Sequence, residues 1–409
     1  MRTARGGGFL LTPTPRASDM SGMARLMPLL ALLTLPVLAA EPPVQWVDPA
    51  TGHRVTRLSR EAGSASFYFH QNPYPAGGDK MVIATPGGLS TIDLKTGEIR
   101  LVVEGRAGQA VVGRRSRLVY YLRGQAVFST NVDTRETRKI ADLPFRSDSG
   151  LTVNADETLL AGSCRDQSEQ AAKSTMSEEE RASLEKTDGR LGARLARQLP
   201  MALYTVNIKS GDVKLIHHRT DWLNHVQCSP TDPGLLMFAH EGPWHRVDRP
   251  WVIRTDGTGL TQVHKRSMPM EISGHEFWGP DGKTVWFDLQ TPKSKQFWLA
   301  GKNLETGTLT KYALEAPEWS VHYNVSPDGK LFAGDGGGPH SVAAPHNGQW
   351  IYLFTPVDGR LKAEKLVDLS KHDYALEPNL TFTPDGKRIV FRSNMHGASH
   401  VYAVEIAKP

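Results

Sequence analysis

Three short segments of this chain carry more proton-exchanging side chains than strand ends require: NHVQCSP (224–230), FAHEGPWHRVDRPW (238–251) and SGHEFWGPDG (273–282). They hold His225, His240, His245 and His275. Imidazoles move protons near neutral pH and bind divalent metals through a neutral ring nitrogen. A β-repeat that only has to fold closes its strand ends with Ser, Asn, Gly and Asp instead. The chemistry on offer is therefore general-base and metal-ligand chemistry. Several other classes are excluded. HEGPWH (240–245) misses the H-E-x-x-H pattern of zinc proteases by one residue, and Gly242-Pro243 forbids the helix that pattern needs. No G-x-S-x-G elbow, P-loop or Cys-based zinc framework is present.

The elements that must position these residues form a repeat. Turn-then-strand units recur at 74–85, 113–122, 154–163, 229–239, 279–288, 326–335 and 383–393. The clearest share x-Pro-Asp-Gly-Lys followed by a β-branched or aromatic run: GPDGKTVWFD, SPDGKLFAGD and TPDGKRIVFRS. Proline presets φ, the aspartate bonds back to the local backbone, and glycine takes the positive φ that closes the turn. Most units are followed by a hairpin with Gly near its tip, as in STIDLKTGEIRLV (90–102). Units of about 40–50 residues with about four strands predict an all-β, seven-bladed β-propeller. HVYAVEI (400–406) has no following hairpin partner, and VQWVDPATGHRVTRLS (44–59) has a hairpin with no unit before it. The N-terminal strand is therefore expected to join the last blade and close the ring. The one irregular interval, 167–198, is rich in Ala, Glu, Arg and Leu and reads as a short helical insertion. It is either a solvated surface helix or a lid whose Arg194 or Arg197 reaches an anionic ligand.

A propeller binds ligands where the inner strands of its blades converge. His225, His275, His322 and the pair Glu377 and Asn379 stand in one register, each a few residues ahead of a turn unit in blades four to seven. That register directs them to one rim. Histidine and carboxylate without cysteine suits a borderline or hard divalent cation such as Mn²⁺, Zn²⁺ or Ca²⁺.

Residues 23–40, MARLMPLLALLTLPVLAA, have a basic start, an apolar core (about 26–38) and a small-residue end. They read as a secretory signal within a leader of residues 1–40, too short to span a membrane. The expected product is one propeller domain, 41–409, in the periplasm. The leader holds four Arg and one Asp, so its removal lowers the formal charge from +5 to +2. No aromatic-basic stripe accompanies that charge, which argues against a nucleic-acid partner; a monomer or weak homodimer is expected. Cys164 and Cys228 either bridge or remain two buried thiols.

HEGPWH with VDRPW, GHEFWGPDGKTVWFD and EPNLTFTPDGK, in that order, resemble the oligogalacturonate lyases of polysaccharide lyase family 22. The resemblance runs over nearly the whole chain beyond the leader. It implies a seven-bladed propeller that cleaves short acidic oligosaccharides by metal-assisted β-elimination, with Mn²⁺ as the first choice of cation and Ca²⁺ or Zn²⁺ as alternatives. It implies His275 as a metal ligand and His225 as general base. The family's Gln-x-x-His-x-His cluster falls here on Tyr374, Glu377 and Asn379, and its charge-stabilising Arg has no counterpart. The expected catalytic set is His225, His240 and Arg249. The expected metal set is His275, His322, Glu377 and Asn379. His245, Arg246, Trp278, Tyr374 and Arg392 are expected to line the substrate. Two other readings stay open: a non-enzymatic periplasmic propeller like that of the Tol system, and a lyase for another acidic glycan such as rhamnogalacturonan fragments.

Overall fold

The computed structural model describes residues 41–341 and 348–409; the leader, with its signal segment, lies outside the described residues. Nearly all regular structure is antiparallel strand. The strands form six hydrogen-bonded sheets, one of which is two four-stranded groups (272–314 and 323–368) joined by a single parallel bridge between Ala313 and Arg360. Counted by antiparallel group the described residues hold seven, the others lying at 80–104, 108–142, 147–219, 222–262 and 381–405.

The turns form for the reason read from their residues. Gly282, Gly329 and Gly386 take φ of +64°, +73° and +68°. In the first of these turns the Asp281 carboxylate accepts from the backbone N–H of Lys283 and of Thr284, both at 3.0 Å. The N-terminal segment closes the assembly as expected. Arg54–Arg57 pairs with His400–Glu405, with Val55 opposite Val404, and Gln45–Val47 adds outside it.

Apolar clusters sit between successive groups. Val82 and Val119 share one, Val111 and Leu160 the next, and Ala161 with Leu236, Met237 with Val285, Phe297 with Phe332, and Ile351 with Ile389 continue the series. Met81 and Ile83 meet Val390 and Val401 to complete the circuit. Each blade-like sheet thus buries both faces against its neighbours, and the stabilisation is spread around a ring without a single centre. Cys164 and Cys228 belong to two different clusters. Both are buried free thiols, which decides against the bridge, and burial pushes each up to about 12.

The insertion is helical over a shorter span than 167–198. Helix α1, Glu178–Thr187, starts at Ser177, whose hydroxyl accepts from the Glu180 N–H at 3.1 Å, with Glu178, Glu179 and Glu180 in the first turn. Helix α2 is Gly189–Ala196. Leu184, Leu195 and Ala196 bury against Met176 and Val247, so the pair is docked onto the loop after His240.

Candidate active site

The innermost strands and the residues leading into them bring one residue per group to the channel. His225 and His275 lie inside the strands Trp222–Cys228 and Ile272–Trp278, not ahead of them as the register in the sequence suggests. The reason is a β-bulge. Strand pairing slips between Asn224 and Gln227 and between Gly274 and Phe277, and the bulged residues adopt φ of +49° and +47°. A bulge re-aims one side chain out of the pleat. Left-handed backbone at a non-glycine residue costs on the order of 1–3 kcal/mol, which the surrounding sheet must hold in place. Gln109 and Asn379 share this conformation, at φ +49° and +50°, and Gly150 does so at +55°.

The spacing is uniform around the ring. His225 is five residues before Pro230, His275 before Pro280, His322 before Pro327 and Asn379 before Pro384. His70 before Pro75, Gln109 before Arg114 and Gly150 before Ala155 keep the same count. The later member of every pair lines one cavity of about 510 Å³ at the turn end of the channel. Phe69, 1 % exposed, and His70 stand at its head. The histidines cluster on their other side. Tyr68 stacks on His225 with centroids 5.8 Å apart and meets the edge of His322 at 5.2 Å. His275 and His322 lie 4.7 Å apart, and His70 is 5.9 Å from His225. Burial holds His70 well below the ordinary histidine range, and the neighbouring His225 and His322 add to that.

Behind these rings stand two kinds of charge. Arg249, fully buried, donates from Nε to Glu276 Oε1 at 2.9 Å, from Nη2 to Glu276 Oε2 at 3.2 Å, and from Nη1 to Glu241. Burial alone would raise both carboxyls, but the guanidinium outweighs it and holds Glu241 and Glu276 below the usual range. Glu241 Oε2 in turn lies 3.4 Å from His225 Nε2. On the opposite side, the His322 backbone N–H and Nδ1 both reach the Asp335 carboxylate at 2.8 Å, and the Asn379 N–H reaches it at 3.3 Å. A carboxylate behind Nδ1 makes that nitrogen the proton carrier and leaves Nε2 as a bare lone pair. His322 Nε2 is buried without a hydrogen-bond partner, 3.8 Å from Glu377 Oε2. His275 has the same arrangement more loosely, with Nδ1 3.5 Å from Asp288 Oδ1, a contact longer than a hydrogen bond. Gly274 permits it: a β-carbon there would stand 2.8 Å from the Trp244 ring and 2.9 Å from Asp288 Oδ1.

Among the described residues, no three His, Cys, Asp or Glu side chains converge closely enough to form a finished metal cluster. The donor set nonetheless suits a divalent cation, because His275 and His322 are adjacent, each is backed by a carboxylate, and a third carboxylate, Glu377, stands beside them. Asn379 has a different job from the ligand role expected of it. Its Oδ1 accepts from the Phe69 N–H at 3.1 Å and its Nδ2 donates toward Glu377, so it positions neighbours.

Other expectations need correction. His240 faces away from the channel: successive side chains of a strand point to opposite sides, and Glu241 is the one turned inward. The His240 ring stacks on Trp251 at 4.9 Å and its Nε2 lies 3.8 Å from Asp221. Arg249 is saturated by its two carboxylates and has no edge to offer a ligand. His245 Nε2 and Arg246 Nε lie 3.0 and 2.9 Å from the buried Asp188 carboxylate, so they fasten the helical insertion and do not line a substrate. Arg194 is likewise a docking residue, 4.9 Å over the Trp222 ring. Trp278 lines the cavity at the turn end and donates to the Gln227 carbonyl at 3.3 Å.

Tyr374 and Arg392 do lie near the cluster. Tyr374 shares with Glu377 the wall of a second cavity of about 700 Å³, its hydroxyl donating to the Asp335 carbonyl at 2.9 Å. Arg392 donates from Nε to the Glu377 carbonyl at 2.7 Å. Sequence reasoning missed Tyr68, Phe69 and His70, though His70 stands at the same distance from its turn proline as His225. It also missed the carboxylates Glu276, Asp288 and Asp335, which carry no local motif.

A family model described as oligogalacturonate lyase matches residues 194–409. Over 391 residues the chain is 26% identical to the oligogalacturonate lyase of Dickeya dadantii (strain 3937), spanning 88% of this chain and 95% of that one. Over 388 residues it is 25% identical to the oligogalacturonide lyase of Pectobacterium atrosepticum, with the same coverage of 88% and 95%. A solved oligogalacturonate lyase in complex with manganese superposes with a TM-score of 0.74 at 23% identity, covering 89% of this chain and 96% of the other. The Vibrio parahaemolyticus oligogalacturonate lyase gives 0.75 at 22%, with the same 89% and 96% coverage. At such identities the solved structures speak for the fold. The match to the family model takes in the segments that carry His225, His275, His322 and Glu377, and on it the chain belongs to the oligogalacturonate lyase family.

Proposed function

We propose that this protein cleaves short galacturonate-containing oligosaccharides from pectin by β-elimination, with a divalent cation at the channel mouth. The observation that carries the reading is the division of labour among three clustered imidazoles. His225 rests its Nε2 on Glu241, whereas His275 and His322 each turn Nδ1 to a carboxylate, and His322 Nε2 is buried without a hydrogen bond. The first arrangement suits a base and the second a pair of ligands.

Elimination from a uronide needs a base for the proton on C5. His225 takes it; the C5–H electrons form the C4=C5 double bond, and the C4–O4 bond breaks. The leaving oxygen departs with that electron pair and takes a proton from water. Glu241 favours the imidazolium that His225 becomes, and Arg249 keeps Glu241 ionised and in place. His275, His322 and Glu377 would hold the cation, Mn²⁺ in first place, with Asn379 and Asp335 positioning them. When bound, such an ion supplies Lewis-acid stabilisation of the charge that develops on the C6 carboxylate. The apolar leader supports a periplasmic location, and no helix among the described residues is long and apolar enough to cross a membrane.

The test is ultraviolet absorbance of the conjugated uronide when protein, Mn²⁺ and oligogalacturonate are mixed, together with elemental analysis of variants. His275→Ala is expected to lose both bound cation and turnover. Absence of any new absorbance with a panel of uronide oligomers, cation supplied, would remove the lyase reading.

A further inference from the structure

We infer that Arg392 is the seat for a substrate carboxylate in this chain, a role that rests on the uronide reading above. The argument is one of hydrogen-bond inventory. A guanidinium has five N–H donors in a planar fork and recognises carboxylates through a free edge. Arg249 offers none to a ligand, since it is fully buried and each of its three nitrogens already donates to Glu241 or Glu276.

Arg392 is held differently. Nε donates to the Glu377 carbonyl at 2.7 Å and Nη1 to the Ser66 carbonyl at 3.4 Å. Both partners are neutral backbone oxygens, so the side chain is fixed in place without a direct ion pair. Nη2 makes no hydrogen bond among the described residues, and no carboxylate lies within ion-pair distance of the group. The two clips come from segments packed against each other, with Phe69 N–H donating to Asn379 Oδ1 at 3.1 Å: Ser66 leads into Tyr68, and Glu377 is the carboxylate beside His322. Arg392 is half-buried there, against Glu377 and near Tyr68. Burial lowers its pKa somewhat, and the nearby Glu377 and Asp335 oppose that. A fixed, half-buried cation that makes no direct ion pair can take an anion on its free edge. The ligand class that follows is an oligosaccharide with a carboxylate on the residue beside the one being cleaved, or on that residue itself.

The experiment measures calorimetric binding of trigalacturonate to metal-free protein, where turnover cannot obscure it, with neutral galactotriose as control. Arg392→Gln, which keeps a donor but not the charge, is expected to weaken trigalacturonate binding by about 10- to 100-fold, the scale of a charge-assisted hydrogen bond. Arg392→Lys is expected to restore part of it, since the charge returns without the fork, and galactotriose is expected to be indifferent to both changes. Trigalacturonate binding by Arg392→Gln equal to that of the unmodified protein would overturn the inference. If the glutamine variant does not fold, as judged by its thermal transition, Arg392→Met carries the comparison, and unchanged binding there has the same force. The two readings fail separately. A protein that cleaves oligogalacturonate while Arg392→Gln binds it normally loses the carboxylate seat but remains a lyase. One that never cleaves, yet loses trigalacturonate with Arg392→Gln, keeps the seat and loses the lyase. One that neither binds nor cleaves it loses both.

Discussion

Two clusters of buried ionisable groups stand side by side at the channel mouth, and they differ in what is left over. In the first, Arg249 is shared by Glu241 and Glu276, and the outer oxygen of Glu241 is taken up by His225. In the second, His275 with Asp288 and His322 with Asp335 leave His322 Nε2 and both Asp288 oxygens buried without hydrogen bonds. An unsatisfied buried polar atom costs about 1–3 kcal/mol, so a fold keeps such atoms together only where something else satisfies them. The saturated cluster is therefore orienting machinery, and the unsaturated one is where a cation and substrate belong. Arginine at the first cluster looked like catalytic equipment in the sequence. Its saturation makes it a strut.

The sharpest way to break this comparison is to remove the base. His225→Ala is expected to lower kcat by about 10²- to 10⁴-fold, the usual range for a general base, while cation content by elemental analysis stays at the unmodified level. Loss of the cation together with His225 would merge the two clusters into one site.

Arg249→Met attacks the saturated side. It strands two buried carboxylates and is expected to cost about 3–5 kcal/mol in denaturant unfolding. The triple variant with Glu241→Gln and Glu276→Gln should regain much of that loss. The pH dependence follows from the same carboxyls. Both titrate below their ordinary 4.5 in the folded state, so the unfolded chain binds protons first as pH falls. Their contribution is thus complete above about 4.5 and is lost as pH drops through the lower folded values. Acid unfolding of the unmodified protein should steepen only below that point, and the triple variant should be flatter there. Equal acid sensitivity in both would show that these carboxyls do not carry it.

Asp335→Asn tests the unsaturated side more gently. The neutral amide no longer holds the proton on Nδ1 of His322 as firmly, and cation affinity is expected to fall about 10- to 100-fold. A cation titration that does not move would take His322 out of the ligand set.

The β-propeller was legible because each turn carries its own chemistry: Asp281 and Gly282 close theirs without help from the rest of the chain. The ring positions were partly legible for the same reason, as a residue's distance from a turn proline is local information. The bulges were not. Nothing near His225 announces a left-handed φ, which comes from slipping the strand against Leu235–Glu241. Strand parity, which turns Glu241 inward and His240 outward, was equally hidden, because HEGPWH offers both residues and no alternating pattern decides between them. The partners of His275 and His322 were beyond reach for a further reason. Asp288 and Asp335 lie 13 residues downstream of their histidines, on or just past the neighbouring strand, and only the pairing brings them back.

The smallest effect is expected where the sequence seemed richest. His245 and Arg246 close on Asp188, whose carboxylate lies between the two helices of the insertion. Arg246 also donates from Nη2 to Ser183 Oγ at 3.2 Å and Thr187 Oγ1 at 3.0 Å. If this is a clamp, Arg246→Ala loosens helices α1 and α2 by about 1 kcal/mol or less, because His245 still holds Asp188 and the pair is partly solvated. Hydrogen exchange across 178–196 should quicken, while kcat and KM for oligogalacturonate stay as they were. The helices rest on Val247 and Leu195 packs near Gly242, so the loop that carries Trp244 toward His275 has apolar support independent of the clamp. A rise in KM without faster exchange would return Arg246 to the substrate.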